Sequence, residues 1–148
     1  MIKAETAERE RGRHEHAMIR TRRWDDPAEP DDGFRVLVCR YRPRALRKAD
    51  ETWDAWWKQL GPSAELHAAV YGKRGPAISW PTYSRRYLAE MRGPAAQAAV
   101  DELARRVADG ETITLLCSSA CADPRRCHRS LLAELVAERA EALSRRRA

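Results

Sequence analysis

A chain of 148 residues is long enough for one domain with its own core and too short for two. Hydrophobic residues at 43% and charged residues at 34%, with a mean hydropathy of -0.70, leave no room for a membrane span of about 20 apolar residues. The net charge of +6 suggests nucleic acid, but its distribution argues otherwise. Lys3, Arg9, Arg11 and Arg13 cancel Glu5, Glu8, Glu10 and Glu15, while Arg145, Arg146 and Arg147 form a basic fringe at the far end. Such a fringe reads as a solvated tail over 144–148.

Residues 1–17 show no apolar periodicity and read as a charged extension, with Met18 as an alternative start. Met1 to Arg23 contains no apolar segment to serve as a secretory signal or anchor, so the expected compartment is the cytoplasm. The alternation from Ile19 to Trp24 predicts a short strand with one polar face. Two prolines between Asp25 and Gly33 exclude regular structure. Phe34-Arg35-Val36-Leu37-Val38-Cys39 is apolar enough for a central strand, and it runs into Arg40-Tyr41-Arg42-Pro43-Arg44. Arginines at alternate positions place at least two guanidiniums on one side of that loop, suited to phosphate, sulfate or carboxylate. The competing reading is arginines that are merely solvated.

Trp53, Trp56, Trp57 and Leu60 follow helical spacing, predicting a short helix from about Asp50 to Leu60 with the tryptophans in the core. Gly61-Pro62-Ser63 ends it, and Ser63 caps a second helix carrying Leu66 and Val70, with His67 at the surface or half-buried. A third helix over about Pro81 to Met91 has Trp80, Tyr83, Tyr87, Leu88 and Met91 on one side. Gly93-Pro94 separates it from a fourth, marked by Ala96, Ala99, Val100, Leu103 and Val107 and stopped by Gly110. Thr112 to Cys117 is the next strand. A last helix, starting near Ser130, is expected to bury Leu131, Leu132, Leu135 and Leu143.

Three of the four cysteines fall between that strand and that helix, in Cys117-Ser118-Ser119-Ala120-Cys121-Ala122-Asp123-Pro124-Arg125-Arg126-Cys127-His128-Arg129. A strand feeding a loop and an amphipathic helix is half of a βαβ unit, which places functional groups where the strand's carboxyl end meets the helix's amino end. In a reducing cytosol such cysteines are metal ligands or reactive thiols rather than disulfides, the competing reading being free buried cysteine.

The order of motifs resembles the YeaO-like family, a bacterial and archaeal domain of unknown function. Met18-Ile19-Arg20 with Pro30-Asp31-Asp32-Gly33-Phe34-Arg35-Val36-Leu37-Val38 is similar to its opening. Arg40-Tyr41-Arg42-Pro43-Arg44-Ala45-Leu46 resembles its arginine-tryptophan-proline-arginine-glycine loop. Trp56-Trp57-Lys58-Gln59-Leu60-Gly61-Pro62-Ser63 and Tyr83-Ser84-Arg85-Arg86-Tyr87-Leu88-Ala89-Glu90 resemble two further motifs. The resemblance spans about Met18 to Val136 and implies a single α/β domain, 18–143, built on a Rossmann-like parallel sheet flanked by helices, with no settled activity. This chain departs from the pattern in having Cys39 in place of aspartate, Arg42 in place of tryptophan and Ala45 in place of glycine. Its cysteine-rich loop resembles a branch of the superfamily with a Cys-His-Arg motif at the start of the last helix, a conversion of the usual site from carboxylate to thiol chemistry.

If both apolar strands share one parallel sheet, Cys39 and Cys117 end on the same edge, under a loop carrying Cys121 and Cys127. One reading is a thiol-dependent enzyme, transferase or sulfurtransferase-like, acting on a small anionic substrate. Cys117 or Cys127 is then the nucleophile, activated by a helix N-terminus and nearby guanidiniums, with His128 as general base. Arg40, Arg44, Arg126 and Arg129 bind the anion, and no cofactor is required. The span from Cys121 to Arg126 matches a sulfurtransferase loop only loosely, because it lacks the glycines that turn backbone amides inward. The alternative is a thiolate site for zinc or a cluster, with Cys39, Cys117, Cys121 and Cys127 as ligands. A nucleic-acid-binding module ranks third, since no helix-turn-helix, aromatic platform or basic recognition helix accompanies the arginines. Oligomeric state is not legible in the sequence.

Overall fold

The computed structural model describes residues 19–121 and 123–147. The expected extension over 1–17, and Met18, lie outside the described residues. Among the described residues the sheet has four strands, β1 (Ile19–Arg23), β2 (Phe34–Leu37), β3 (Ala55–Trp56) and β4 (Ile113–Cys117), in the order β1-β4-β2-β3. All neighbouring strands pair in parallel. Four helices accompany it: α1 (Ala64–Val70), α2 (Trp80–Glu90), α3 (Pro94–Ala108) and α4 (His128–Arg147). The molecule is the expected α/β domain. No helix among the described residues is long and apolar enough to cross a membrane.

The continuous apolar runs of β2 and β4 are explained by burial on both faces, because alternate side chains point to opposite sides of a sheet. Val36, Val38, Ile113 and Leu115 join one cluster with Leu66 of α1, Tyr83 and Tyr87 of α2, Leu103 of α3 and Leu132 and Val136 of α4. Leu37 and Leu116 face the other way and pack with Trp53, Trp24 and Leu46. Helices therefore cover one face, and an irregular segment rich in tryptophan covers the other.

On that second face β1 alternates as expected. Arg20 and Arg22 reach Glu29 at 2.8 Å each, and Arg20 lies 3.0 Å from Asp32. Asp32 is buried, pairs with Arg35 and accepts the Glu29 amide at 2.9 Å. Beside it Gly33 has φ +62, and an added Cβ would lie 2.0 Å from the Thr112 carbonyl oxygen. That carbonyl accepts the first amide of β2, from Phe34, at 2.9 Å. Only glycine lets the chain turn this close into the strand.

The expected helix over Asp50 to Leu60 is not formed. The segment is a 3-10 turn (Lys48–Asp50), β3, and a second turn (Lys58–Leu60). Its backbone groups are taken by β2: Asp54 N donates to Arg35 O at 2.7 Å and Trp57 N to Leu37 O at 3.0 Å. Trp53 packs on the second face while Trp57 and Leu60 join the first, a division one helical stripe cannot make. The open edge of a central strand, and residues that favour extended backbone, outweigh the helical spacing.

The remaining helices follow their start and stop signals. Ser63 caps α1, accepting the Leu66 amide at 3.1 Å, and Ser79 caps α2. Helix α4 starts at His128 rather than near Ser130. Its buried positions are His128, Arg129, Leu132, Val136 and Ala140, so the expectation of buried Leu131, Leu135 and Leu143 is corrected: these three are only partly buried against the core. A stripe at every fourth residue, led by a histidine and an arginine turned inward, meets the sheet. The helix continues through Arg145 and Arg146 to Arg147, which pairs with Asp109 at 2.6 Å.

Candidate functional site

Because β2 and β4 are adjacent and parallel, with Leu37 opposite Leu116, Cys39 and Cys117 emerge side by side. Their sulfurs lie 3.8 Å apart. The loop after β4 folds back over this point. Cys121 N donates to Ser118 O at 3.0 Å, and the Cys117 Sγ donates to Cys121 Sγ at 3.3 Å. A turn at Pro124–Arg126 then brings Cys127 and His128 to the start of α4. The ligating atoms of Cys117, Cys127 and His128 all lie within 4.8 Å of one another. All four cysteines are free thiols.

The histidine has a defined tautomer. Its Nε2 lies 2.8 Å from the Val38 carbonyl oxygen, which can only accept, so Nε2 carries the hydrogen and donates. Nδ1 therefore presents a lone pair toward Cys117 Sγ at 3.9 Å. Burial pushes the His128 pKa down, which keeps the ring neutral.

Three thiols in contact cannot all ionise, and the structure distributes one charge among them. Hydrogen bonds from Cys117 and then Cys127 pull the Cys121 thiol down to about 3. Cys117 is pushed well up by its bond to Cys121, and Cys127 by its bonds to Cys117 and Cys121 and then by burial. The shifts therefore favour the charge on Cys121, which is half-buried, over Cys117 and Cys127, which are buried.

These groups form the floor of an open cleft of about 1190 Å³ at the carboxyl ends of the strands, where ligands of open α/β sheets bind. Of the arginines singled out in the sequence, Arg40, Arg42, Arg44 and Arg126 line it. Arg129 does not: it is 4% exposed, and its Nη2 donates to the Cys121 carbonyl at 3.2 Å, holding the loop from beneath. Arg42 is engaged by Glu51 at 3.0 Å and by the Leu46 carbonyl at 2.8 Å.

The Arg40 corner is fixed by close backbone packing. A Cβ on Gly61 would lie 2.5 Å from Arg40 N and 2.8 Å from the Cys39 carbonyl carbon, and Trp56 Nε1 donates to Cys39 O at 2.8 Å. Ala45, in the same loop, has φ +58, the left-handed conformation that explains why the resembling family places glycine there. The sequence reading missed the other wall, made of Tyr41, Trp56, His67, Tyr71, Trp80 and Tyr83. No spacing rule marks an aromatic residue as exposed, and the tryptophan pattern pointed to the core instead.

Three comparisons bear on this arrangement. A family model described as "Active DUF488-N3 subclade" matches residues 19–140. The chain is similar to the uncharacterised protein YeaO of Escherichia coli (strain K12), 36% identical over 104 residues that cover 68% of this chain and 83% of that protein. It is also similar to uncharacterised proteins of Mycobacterium bovis and Mycobacterium tuberculosis, each 33% identical over 88 residues, covering 60% of this chain and 72% of theirs. No solved structure matches.

Proposed function

Since the chain belongs to the YeaO-like DUF488-N3a family, we propose that its cleft is the site of a cysteine-dependent reaction on a small anionic substrate in a reducing cytosol. The observation that carries this reading is the meeting of Cys117, Cys121, Cys127 and His128 at the floor of a cleft lined by Arg40, Arg44 and Arg126. The family description's word "active" accords with it. Cys121 is the attacking sulfur in this scheme. Cys117 and Cys127, which the sequence put forward as nucleophiles, donate S–H bonds that hold its negative charge, and the neutral His128 ring stands beside Cys117 with no proton to take from a Cys121 that is already ionised. The sulfur forms a bond to the electrophilic atom as the leaving group departs with its electron pair. Arg129 acts through the loop, by its bond to the Cys121 carbonyl.

Iodoacetate tests this directly, being both an anion and a thiol electrophile. An isolated thiolate reacts more slowly with it than with neutral iodoacetamide, because like charges repel. In this cleft the preference is expected to reverse, with modification confined to Cys121 by peptide mass mapping. Arg44→Ala restores the ordinary preference, and Cys117→Ala or Cys127→Ala slows both reagents. A wild-type ratio equal to that of glutathione removes the proposal.

A second reading rests on the triplet Cys117, Cys127 and His128. Two buried thiols and an imidazole nitrogen with its lone pair turned inward are a donor set for zinc, and the Nε2–H bond to Val38 O is the outer contact that metal-binding histidines ordinarily carry. Of the cysteines expected as ligands from sequence, Cys117 and Cys127 belong to this group and Cys39 and Cys121 do not. A zinc ion bound there would supply Lewis acidity. About one equivalent of zinc in freshly purified protein, lost together with stability on chelation, favours this reading; metal-free protein that shows the iodoacetate preference favours the first.

A further inference from the structure

Among the described residues, the large hydrophobic side chains left exposed are Tyr41 at 53%, Trp56 at 38% and Tyr71 at 52%. All three line the one cleft that holds the thiols. Exposed aromatic surface gathered in a cleft is characteristic of a binding site. His67 stands between two of these rings, edge-on to Tyr41 with centroids 5.0 Å apart and tilted against Tyr71 at 4.6 Å. Its Nδ1 is buried and has no hydrogen-bond partner among the described residues. Desolvation lowers its pKa, so the ring offers a neutral polar edge within an aromatic wall.

Among the cations that line the same cleft, Lys73 stands over the Tyr71 ring, 6.0 Å from its centroid, and Arg42 has a carboxylate partner, Glu51. Arg40, Arg44 and Arg126 have none among the described residues, and the single carboxylate lining the cleft, Asp123, is engaged by Arg125. Unpaired guanidiniums beside exposed aromatic rings recognise a ligand with two unlike parts. A small inorganic anion would leave the aromatic wall uncovered, and a neutral apolar ligand would leave the arginines unanswered. The cleft, at about 1190 Å³, exceeds what a phosphate or a single carboxylate fills.

We infer that the cleft binds a nucleoside phosphate, with the base against Tyr41, His67 and Tyr71 and the phosphate on Arg40, Arg44 and Arg126, beside the Cys121 sulfur. Rings accept the flat face of a base with little regard to its identity, and guanidiniums accept phosphate oxygens in pairs. The inference rests on the cleft being the binding site of the proposed reaction, and it names the substrate class. The phosphate can belong to a free nucleotide or to the end of a nucleic-acid strand, since both present the same chemistry.

Titration calorimetry of the Cys121→Ser protein separates binding from thiol chemistry. 5′-AMP is expected to bind at least about tenfold more tightly than inorganic phosphate or adenosine alone, each tenfold being 1.4 kcal/mol. Tyr71→Ala should weaken AMP about fivefold or more while leaving phosphate unchanged. Arg44→Ala should weaken AMP and phosphate while leaving adenosine unchanged, with the fold of each variant checked by circular dichroism. A 5′-phosphorylated tetranucleotide that binds more tightly than AMP assigns the ligand to strand ends; equal or weaker binding assigns it to free nucleotides. AMP binding no tighter than phosphate, or unaffected by both substitutions, overturns the inference. AMP binding without the iodoacetate preference in wild type keeps the ligand class and removes the thiol reaction, whereas the reverse result keeps the thiol reaction and removes the nucleotide.

Discussion

Gly61→Ala is the sharpest probe of how the fold holds the site. Gly61 has φ -82 and ψ 168, which alanine adopts without strain, so torsion opposes nothing. Space does: the new Cβ would lie 2.5 Å from Arg40 N, 2.8 Å from Cys39 C and 3.0 Å from Arg40 Cα. All three are backbone atoms, and no side chain can rotate out of the way. Ordinary contact begins near 3.4 Å, so the two chains must separate by roughly 0.9 Å. Overpacking of this kind costs about 1–3 kcal/mol, against a gain of about 0.4–1 kcal/mol from the stiffer unfolded chain. The net expectation is a loss of about 1–2 kcal/mol by urea denaturation, a fall in Tm of roughly 2–8 °C. The displaced corner carries Cys39 and Arg40, so the iodoacetate preference should fall as well. A variant as stable as wild type, with unchanged alkylation, would show that the two backbones do not meet as described.

Ala45→Gly should act in the opposite sense, because relieving φ +58 outweighs the entropy glycine adds to the unfolded chain; a gain of about 0.5 kcal/mol is expected, and a loss in urea denaturation refutes the strain. Asp32→Asn leaves Arg35, buried at 5% exposure, without its anion and should cost about 3–5 kcal/mol. Burial raises the Asp32 pKa, but the Glu29 amide and then Arg35 more than offset that and hold it below its usual value. The stability it contributes is therefore present above the ordinary aspartate range and lost as pH falls through the folded value, a loss the asparagine variant should not show in acid titration. With Cys121 drawn down to about 3, the rate of its alkylation by iodoacetamide in chelator-treated protein should be flat between about pH 5 and 8, where a free thiol with a pKa of about 8.5 gains nearly tenfold per unit. A profile rising with an ordinary thiol pKa would place the thiolate elsewhere.

The sheet and the meeting of Cys39 with Cys117 were legible because they follow from local signals. Two apolar runs, each closing on a cysteine, become neighbours once both are central parallel strands. The helices at Ser63, Gly93-Pro94 and Gly110 were legible for the same reason, since caps and stops act within a turn or two of the chain. What was not legible depended on partners distant in sequence. Trp53, Trp56 and Trp57 satisfy a helical pattern and a strand equally, and the edge of β2, some twenty positions away, decides between them. Arg129 read as a surface ligand because its inward direction is set by where α4 begins, at His128 rather than near Ser130. Arg42 shares its sequence spacing with Arg40 and Arg44 but turns to Glu51, a partner that the loop conformation alone brings within reach.

The positive charge of the chain acquires a direction once it is divided by place in the fold. Near the start of β2, Arg20, Arg22 and Arg35 surround Glu29 and Asp32, so each guanidinium there has a carboxylate partner within the chain and serves the second face of the sheet. At the carboxyl ends, Arg40, Arg44 and Arg126 line an open cleft and have no carboxylate paired with them among the described residues. Three such guanidiniums, standing above thiols that hold a negative charge of their own, polarise this end of the sheet toward an incoming anion. The thiolate itself repels that anion. The guanidiniums must therefore hold the substrate's charge to one side while its electrophilic atom reaches Cys121, and this requires a substrate in which the two are separate groups.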